Sequence, residues 1–158
     1  MTTLKKRLTV EFANIRKSLA ELPRSRSCQH LSKIELAGVA ALLHNFYNGI
    51  EKVLKDILTF QKVALPEGAT WHKDLINLAV EKKVLEKSTV ELLTPYLAFR
   101  HFFVHAYVVD LEAERLEPLV QEVDMVFEQV KKDLAKLPAF PTNETAPVLT
   151  TNQKDSKE

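Results

Sequence analysis

The sequence contains few of the residues that crosslinks, tight turns and membrane spans require. Three glycines and one cysteine occur among its 158 residues, so no internal disulfide can form, and the lone Cys28 is typical of a reducing compartment. No apolar run reaches the roughly 18 residues of a membrane span. Glu11, Asn14 and Arg16 interrupt the segment where a secretory signal needs a continuous apolar stretch. These absences predict a cytoplasmic protein that does not enter a membrane.

An excess of charge of one sign is also missing. The net charge is +1, so the total charge gives no argument for binding to nucleic acid. The distribution is less even, because residues 1–34 carry eight Lys and Arg against two Glu, whereas residues 110–128 carry seven acidic residues against one Arg. This indicates either two solvated faces of opposite sign or a basic amino-terminal surface that attracts a polyanion.

The sequence is rich in apolar residues at helical spacing. They make up 46% of the chain and recur every three or four positions, with little strand-like alternation. The pattern predicts an all-α fold, a four- to five-helix up-and-down bundle, with helices over residues 2–21, 31–62, 71–80, 89–107 and 111–137. The helical domain spans residues 1–137, and residues 138–158 are predicted to form a disordered tail.

Local signals mark several helix ends. Ser32 and Glu35 have the spacing of a capping box at the start of the second helix. Thr70 is the expected cap of the third helix, and Pro95 either starts the fourth helix or kinks it.

The fourth helix carries the most unusual stretch, Phe99–Tyr107, which places polar side chains in an apolar helix. With about 100° per residue, six apolar or aromatic residues lie within about 60° of Arg100: Leu93, Tyr96, Leu97, Phe103, Val104 and Tyr107. A helix that is apolar nearly all round is expected to be buried on both sides, here by its own bundle and by a partner. A buried arginine is costly unless it is paired or held ready for the negative charge of a ligand.

The second helix carries a polar row that faces away from its apolar stripe. The row consists of His44, Asn48, Glu51 and Lys55. It is either a solvated face or, in part and together with Tyr47, the lining of a cleft opposite Arg100 and His105. In the third helix, Trp71 is expected in the core and His72 on the surface, without a chemical role.

Three interpretations of the histidines follow from spacing alone. His101 and His105 lie four residues apart, a spacing that can chelate a metal, but no Asp, Glu or Cys lies near in sequence to complete a site. The histidines can instead be structural. In the third interpretation, Arg100 holds a phosphate and His105 transfers protons in a metal-free cleavage of RNA. These two lie about 140° apart on an ideal helix, so a second subunit that brings its own copies would complete the site.

The motif Arg100–x4–His105–x–Tyr107 resembles the signature of the HEPN superfamily. Leu43–Lys52 and Trp71–Leu75 are similar to segments of its HepT-like branch, the ribonuclease toxins of HepT/MntA toxin–antitoxin modules. The resemblance covers residues 1–137 and implies a bundle that dimerises through the motif helix, with a composite ribonuclease site and no cofactor. It also implies an MntA-like nucleotidyltransferase antitoxin that AMPylates the motif tyrosine.

Carried over residue by residue, the resemblance makes Arg100 and His105 the catalytic pair and Tyr107 the AMPylated residue. His101 stands where HepT toxins often have another polar residue such as asparagine, and it joins Tyr47 and Glu51 as auxiliary candidates. The resulting prediction is a metal-independent ribonuclease toxin that forms a homodimer or a higher oligomer. The alternative is a non-catalytic HEPN-like module that binds a nucleotidyltransferase or a nucleotide.

Overall fold

The computed structural model describes residues 3–138, which form five α-helices and two short 3₁₀ segments without any strand. The α-helices are α1 (Thr3–Ala20), α2 (Lys33–Phe60), α3 (Trp71–Glu81), α4 (Lys87–His105) and α5 (Ala113–Ala135). The 3₁₀ segments are Cys28–His30 and Val108–Asp110. The predicted all-α class is confirmed. The predicted tail, apart from Pro138, lies outside the described residues.

Helix α2 is the central element of the bundle, since it packs against each of the other four α-helices. Its start is the capping box that the sequence predicts: the Glu35 N–H donates to Ser32 Oγ at 3.1 Å, and the Ser32 N–H donates to the Glu35 carboxylate at 3.3 Å. Apolar residues on more than one face of α2 are fully buried, among them Val53 and Leu58, which lie about 140° apart around the helix axis. Burial on several sides follows from having neighbours on several sides.

Aromatic contacts join α2 to α4 and α5. The Phe46 ring packs edge-on against Tyr96 of α4 and Phe127 of α5, with ring centroids 5.3 Å and 6.2 Å away. The buried Tyr96 hydroxyl donates to the Leu119 carbonyl of α5 at 2.8 Å, so its polar atom is satisfied inside the core. These contacts fix the position of α4, the helix that carries the motif.

Helix α4 begins eight residues before Pro95, so the proline lies inside the helix. Within the single chain only one face of α4 is buried, through Thr89, Leu93, Tyr96 and Phe99. The opposite face is exposed and carries Thr94, Pro95, Ala98 and His101. The bundle therefore covers one side of α4, as expected, and the covering of the other side by a partner stays a prediction. No α-helix among residues 3–138 has the length and apolar character needed to traverse a bilayer.

The segment after α4 is tied back to the start of α2. The Lys33 ammonium group donates to the carbonyls of Val109 and Leu111 at 3.2 Å and 3.0 Å. This anchor leaves Tyr107 78% exposed and Val109 72% exposed. The carboxyl end of α4 and the 3₁₀ segment therefore present an apolar surface to the outside of the bundle.

Several basic residues of the amino-terminal region are paired with carboxylates. The pairs are Arg7–Asp56, Arg24–Asp124 and Arg26–Glu35. These ion pairs reduce the positive charge that the region offers to a polyanion. They favour the interpretation of solvated faces of opposite sign.

Cys28, in the first 3₁₀ segment, lies in the core. Its side chain is buried, and burial, reinforced by the Glu117 carboxylate, raises the pKa of the thiol to about 12. The Cys28 backbone N–H donates to that carboxylate at 2.6 Å. A buried, protonated thiol is a poor nucleophile.

Candidate active site

Arg100 lies on the flank of α4 that faces α2, and its side chain is only 21% exposed. Its Nε donates to Asn48 Oδ1 at 3.4 Å and lies 3.9 Å from Glu51 Oε1. The expectation that the polar row of α2 lines a cleft opposite Arg100 is thus correct for Asn48 and Glu51. A guanidinium held in this way keeps further N–H groups for a ligand.

Glu51 is a buried carboxylate between two partners from different helices. It is 3% exposed; one oxygen faces Arg100 and the other, Oε2, lies 2.6 Å from His72 Nδ1. A buried charge is tolerated when it is paired and hydrogen-bonded, as this one is. Glu51, an expected auxiliary residue, therefore joins Arg100 to a histidine that the sequence did not single out.

The expectation that His72 is a surface residue is wrong. His72 occupies the first turn of α3, whose packing against α2 turns the imidazole toward Glu51. The Trp71 ring lies over it with centroids 3.5 Å apart, and Lys55 places its ammonium 3.8 Å from the Trp71 ring centroid. Trp71 itself is half-buried at the edge of the core. The helix-start position gave no indication of these neighbours.

Two cavities meet at the Arg100–His72 pair. The first, of about 410 Å³, is bounded by α1, α2 and the start of α3, and its lining includes Asn14, Asn48, Lys55 and Trp71. The second, of about 550 Å³, lies between α3 and α4, and His101 lines it. Arg100 and His72 line both cavities, so the two side chains form the wall between them. Both volumes fall in the range of about 300–1,000 Å³ that is usual for ligand sites.

His105 and Tyr107 lie at the exposed carboxyl end of α4. His105 is the last residue of the helix and does not line either cavity. Its ring lies 4.9 Å from that of His101, which connects it to the edge of the second cavity. Tyr107 follows the extended cap residue Ala106. Within one chain the structure thus brings Arg100 together with Glu51, His72 and His101, but not with His105 or Tyr107.

The expected place of Tyr47 in the cleft is wrong. Its ring is fully buried, its hydroxyl has no hydrogen-bond partner among the described residues, and it lines neither cavity. Burial is also the main cause that raises the pKa of its hydroxyl. Position 47 lies on the core side of α2 beside Leu43 and Ile50, so the aromatic ring packs in the core.

His44, from the same polar row, is half-buried, and its ring packs against Phe103 at a tilt of 45° with ring centroids 5.0 Å apart. Its Nδ1 has no partner within residues 3–138. Burial and the charge of Arg100 lower the pKa of this imidazole. His44 therefore contributes an aromatic contact to the bundle.

A metal ion would have few ligands here. Among residues 3–138, no three His, Cys, Asp or Glu side chains are grouped so that they could hold one. The pair His101 and His105 offers two imidazoles at the surface. The chemistry that the site can perform with its own groups is proton transfer by imidazole beside a guanidinium that can hold an anion.

The helical bundle, with Arg100, His105 and Tyr107 at the end of its fourth helix, places the chain in the HEPN class. It belongs to the HepT-like family, since a family model described as "HepT-like protein" matches residues 38–140, more than half of the chain. The match includes the motif and both segments that carry the resemblance, which is thereby confirmed. No curated protein and no solved structure matches the chain.

Proposed function

We propose that this chain is a metal-independent endoribonuclease toxin of a type VII-like toxin–antitoxin system. Arg100 and His105 are its catalytic residues, in a cleft shared by two subunits, and a nucleotidyltransferase antitoxin neutralises it by AMPylating Tyr107. The observation that carries the proposal is the position of Arg100. In a HepT-like chain, Asn48 and Glu51 hold its guanidinium at the wall of a polar cavity, on the helix that ends at His105.

The reaction requires a base, an acid and a cation. The ribose 2′-oxygen attacks the adjacent phosphorus while the base takes the 2′-hydroxyl proton. The bond from phosphorus to the 5′-oxygen breaks, and the acid gives that oxygen a proton. Arginine holds the phosphate as its negative charge increases. The products are a 2′,3′-cyclic phosphate and a 5′-hydroxyl, and the reaction needs no cofactor.

A second subunit would supply the imidazole that this chemistry needs beside Arg100. His105 lines neither of the cavities that Arg100 lines, so a partner copy can bring an imidazole to the guanidinium of the first. The exposed residues Val104, Tyr107, Val108 and Val109 form an apolar surface beside His105. Such surfaces are typical of interfaces, and a two-fold symmetric interface would cover two copies of this one.

Neutralisation has a chemically accessible target. The Tyr107 side chain is 78% exposed, so its hydroxyl can reach the active site of a transferase. The tyrosine oxygen attacks the α-phosphorus of ATP, pyrophosphate leaves, and the hydroxyl proton is released. The adduct adds a nucleotide with a negative charge two residues from His105, where it can occupy the RNA site.

The test compares single alanine variants in RNA cleavage and in growth inhibition. Arg100→Ala and His105→Ala should each lower the cleavage rate by about 100-fold or more, since each removes transition-state charge stabilisation or proton transfer. Arg16→Ala, at an exposed position of α1, is the matched control and should keep the parent rate. The proposal is wrong if both motif variants cleave RNA as fast as the parent.

Two further results separate the alternatives. Cleavage should persist in EDTA, and its loss there would favour a metal site at His101 and His105. A parent protein that binds the nucleotidyltransferase but degrades no RNA would favour the non-catalytic binding module.

A further inference from the structure

We propose that His72 is a further catalytic histidine of this site and that Glu51 is its positioning residue. The proposal rests on the ribonuclease function proposed above. It differs from it in assigning proton transfer to a residue of α3, outside the Arg100–His105 motif. Its starting point is the contact of 2.6 Å between His72 Nδ1 and Glu51 Oε2.

That contact fixes the tautomer of the imidazole. An ionised carboxylate only accepts hydrogen bonds, so His72 Nδ1 carries the hydrogen atom and donates a hydrogen bond to Glu51. In the neutral ring, Nε2 is then the nitrogen with a free lone pair. Nε2 has no hydrogen-bond partner among residues 3–138, so it can take a proton from a ligand.

The position of His72 puts Nε2 where a phosphate can be held. His72 and Arg100 are the two residues that line both cavities. The same Glu51 carboxylate contacts both side chains, at 2.6 Å and 3.9 Å, so one buried group sets their spacing. A phosphodiester bound by Arg100 therefore lies beside an oriented imidazole of the same chain.

The charged groups around His72 come from all neighbouring helices. Besides Glu51 and Arg100, they are Glu11 of α1, Lys52 and Lys55 of α2 and His101 of α4, together with Lys73 and Asp74 of α3 itself. Glu11 is 4.0 Å from Lys52, and Asp74 accepts from the Thr70 hydroxyl at 2.8 Å. Lys55 contacts the Trp71 ring, so its ammonium adds positive charge next to the imidazole. The cationic groups in this set attract an anionic substrate.

A purely structural pair would look similar in the free protein, so the test needs a readout that stability alone does not change. His72→Asn places an amide nitrogen near the position of Nδ1, which can still donate to Glu51, but it removes the titrating ring. Glu51→Gln keeps the size of the side chain and removes its charge. His30→Ala changes an exposed histidine of the first 3₁₀ segment and is the matched control.

The measurements are kcat and KM for a defined RNA oligonucleotide over a range of pH, with thermal unfolding of each variant. His72→Asn should lower kcat by about 100- to 10,000-fold, leave KM within about threefold, and remove one limb of the pH–rate profile. Glu51→Gln should shift that limb and lower kcat by a smaller factor. His30→Ala should match the parent.

The outcomes separate this proposal from the function on which it rests. If the parent cleaves RNA and Arg100→Ala abolishes cleavage, but His72→Asn keeps the parent kcat and pH profile, His72 is not catalytic. If His72→Asn does not fold, the profile of Glu51→Gln decides, and an unshifted limb overturns the proposal. A parent that cleaves no RNA overturns the ribonuclease function and this assignment with it.

Discussion

Substitution by alanine is predicted to change the free energy of unfolding in opposite directions at the two glycines of α2, Gly38 and Gly49. A Cβ at Gly49 would lie 2.6 Å from Ile15 Cγ1 and 2.9 Å from Ile15 Cδ1, whereas a Cβ at Gly38 would meet nothing within 4 Å. Alanine is favoured over glycine inside a helix by about 0.5–1 kcal/mol. Gly38→Ala should therefore increase the free energy of unfolding by about this amount.

Gly49→Ala gains the same propensity term but must displace Ile15, which is buried and branched at Cβ. Overpacking a well-packed core costs about 1–3 kcal/mol, so the net loss is about 0–2.5 kcal/mol. Since both glycines lie inside α2, the difference between the two variants isolates the overpacking cost of about 1–3 kcal/mol. For a chain of this length each kcal/mol corresponds to about 2–4 °C in Tm.

Urea titration followed by far-ultraviolet circular dichroism measures both variants. In an Ile15→Ala background the clashing atoms are gone, so Gly49→Ala should become stabilising, as Gly38→Ala is in the parent. The double-mutant cycle should give a coupling of about 0.5–3 kcal/mol. Equal effects of the two glycine substitutions in the parent would refute the close approach of α1 to α2 at Gly49. Ile15 and Gly49, which meet at this contact, both line the first cavity.

Two other predictions concern Tyr107 and Glu117. Co-expression with an MntA-like nucleotidyltransferase should add one or more AMP masses to the parent and none to Tyr107→Phe; a modified Tyr107→Phe would exclude that residue. For Glu117, the hydrogen bond from the Cys28 N–H lowers the pKa of its carboxyl, so the folded state favours the ionised form. This stabilisation is present above the ordinary glutamate pKa of about 4.3 and is lost as pH falls through the lowered folded pKa. Tm should therefore fall less steeply below about pH 5 in Glu117→Gln than in the parent, and parallel curves would contradict the assignment.

Much of the fold could be predicted because it depends on local patterns. The capping box of Ser32 and Glu35 and the periodic apolar residues set the bounds of α2 within a few residues. The sequence leaves two alternatives for Pro95, and the start of α4 at Lys87, where the Glu86 N–H donates to the buried Asp133 carboxylate at 2.9 Å, places the proline inside the helix. That partner is 47 residues away and leaves no trace in the local sequence.

The candidate site could be predicted only in part, since its groups come from different helices. Spacing put Asn48 and Glu51 on one face of α2 and Arg100 on a partly buried face of α4, and these meet. The same reasoning missed His72, because helical angles say which face a residue occupies and not which helix packs against that face. It also placed Tyr47 with the polar row. Position 47 lies between the polar and the apolar face of α2, and the aromatic ring is buried on the apolar side.

The burial of Cys28 has a practical consequence for studying assembly. The chain has one cysteine, and its thiol is shielded and protonated in the folded state. A Val109→Cys substitution on the exposed 3₁₀ segment would therefore introduce the sole readily labelled sulfhydryl. A spin label attached there would report directly whether two such segments come together in solution.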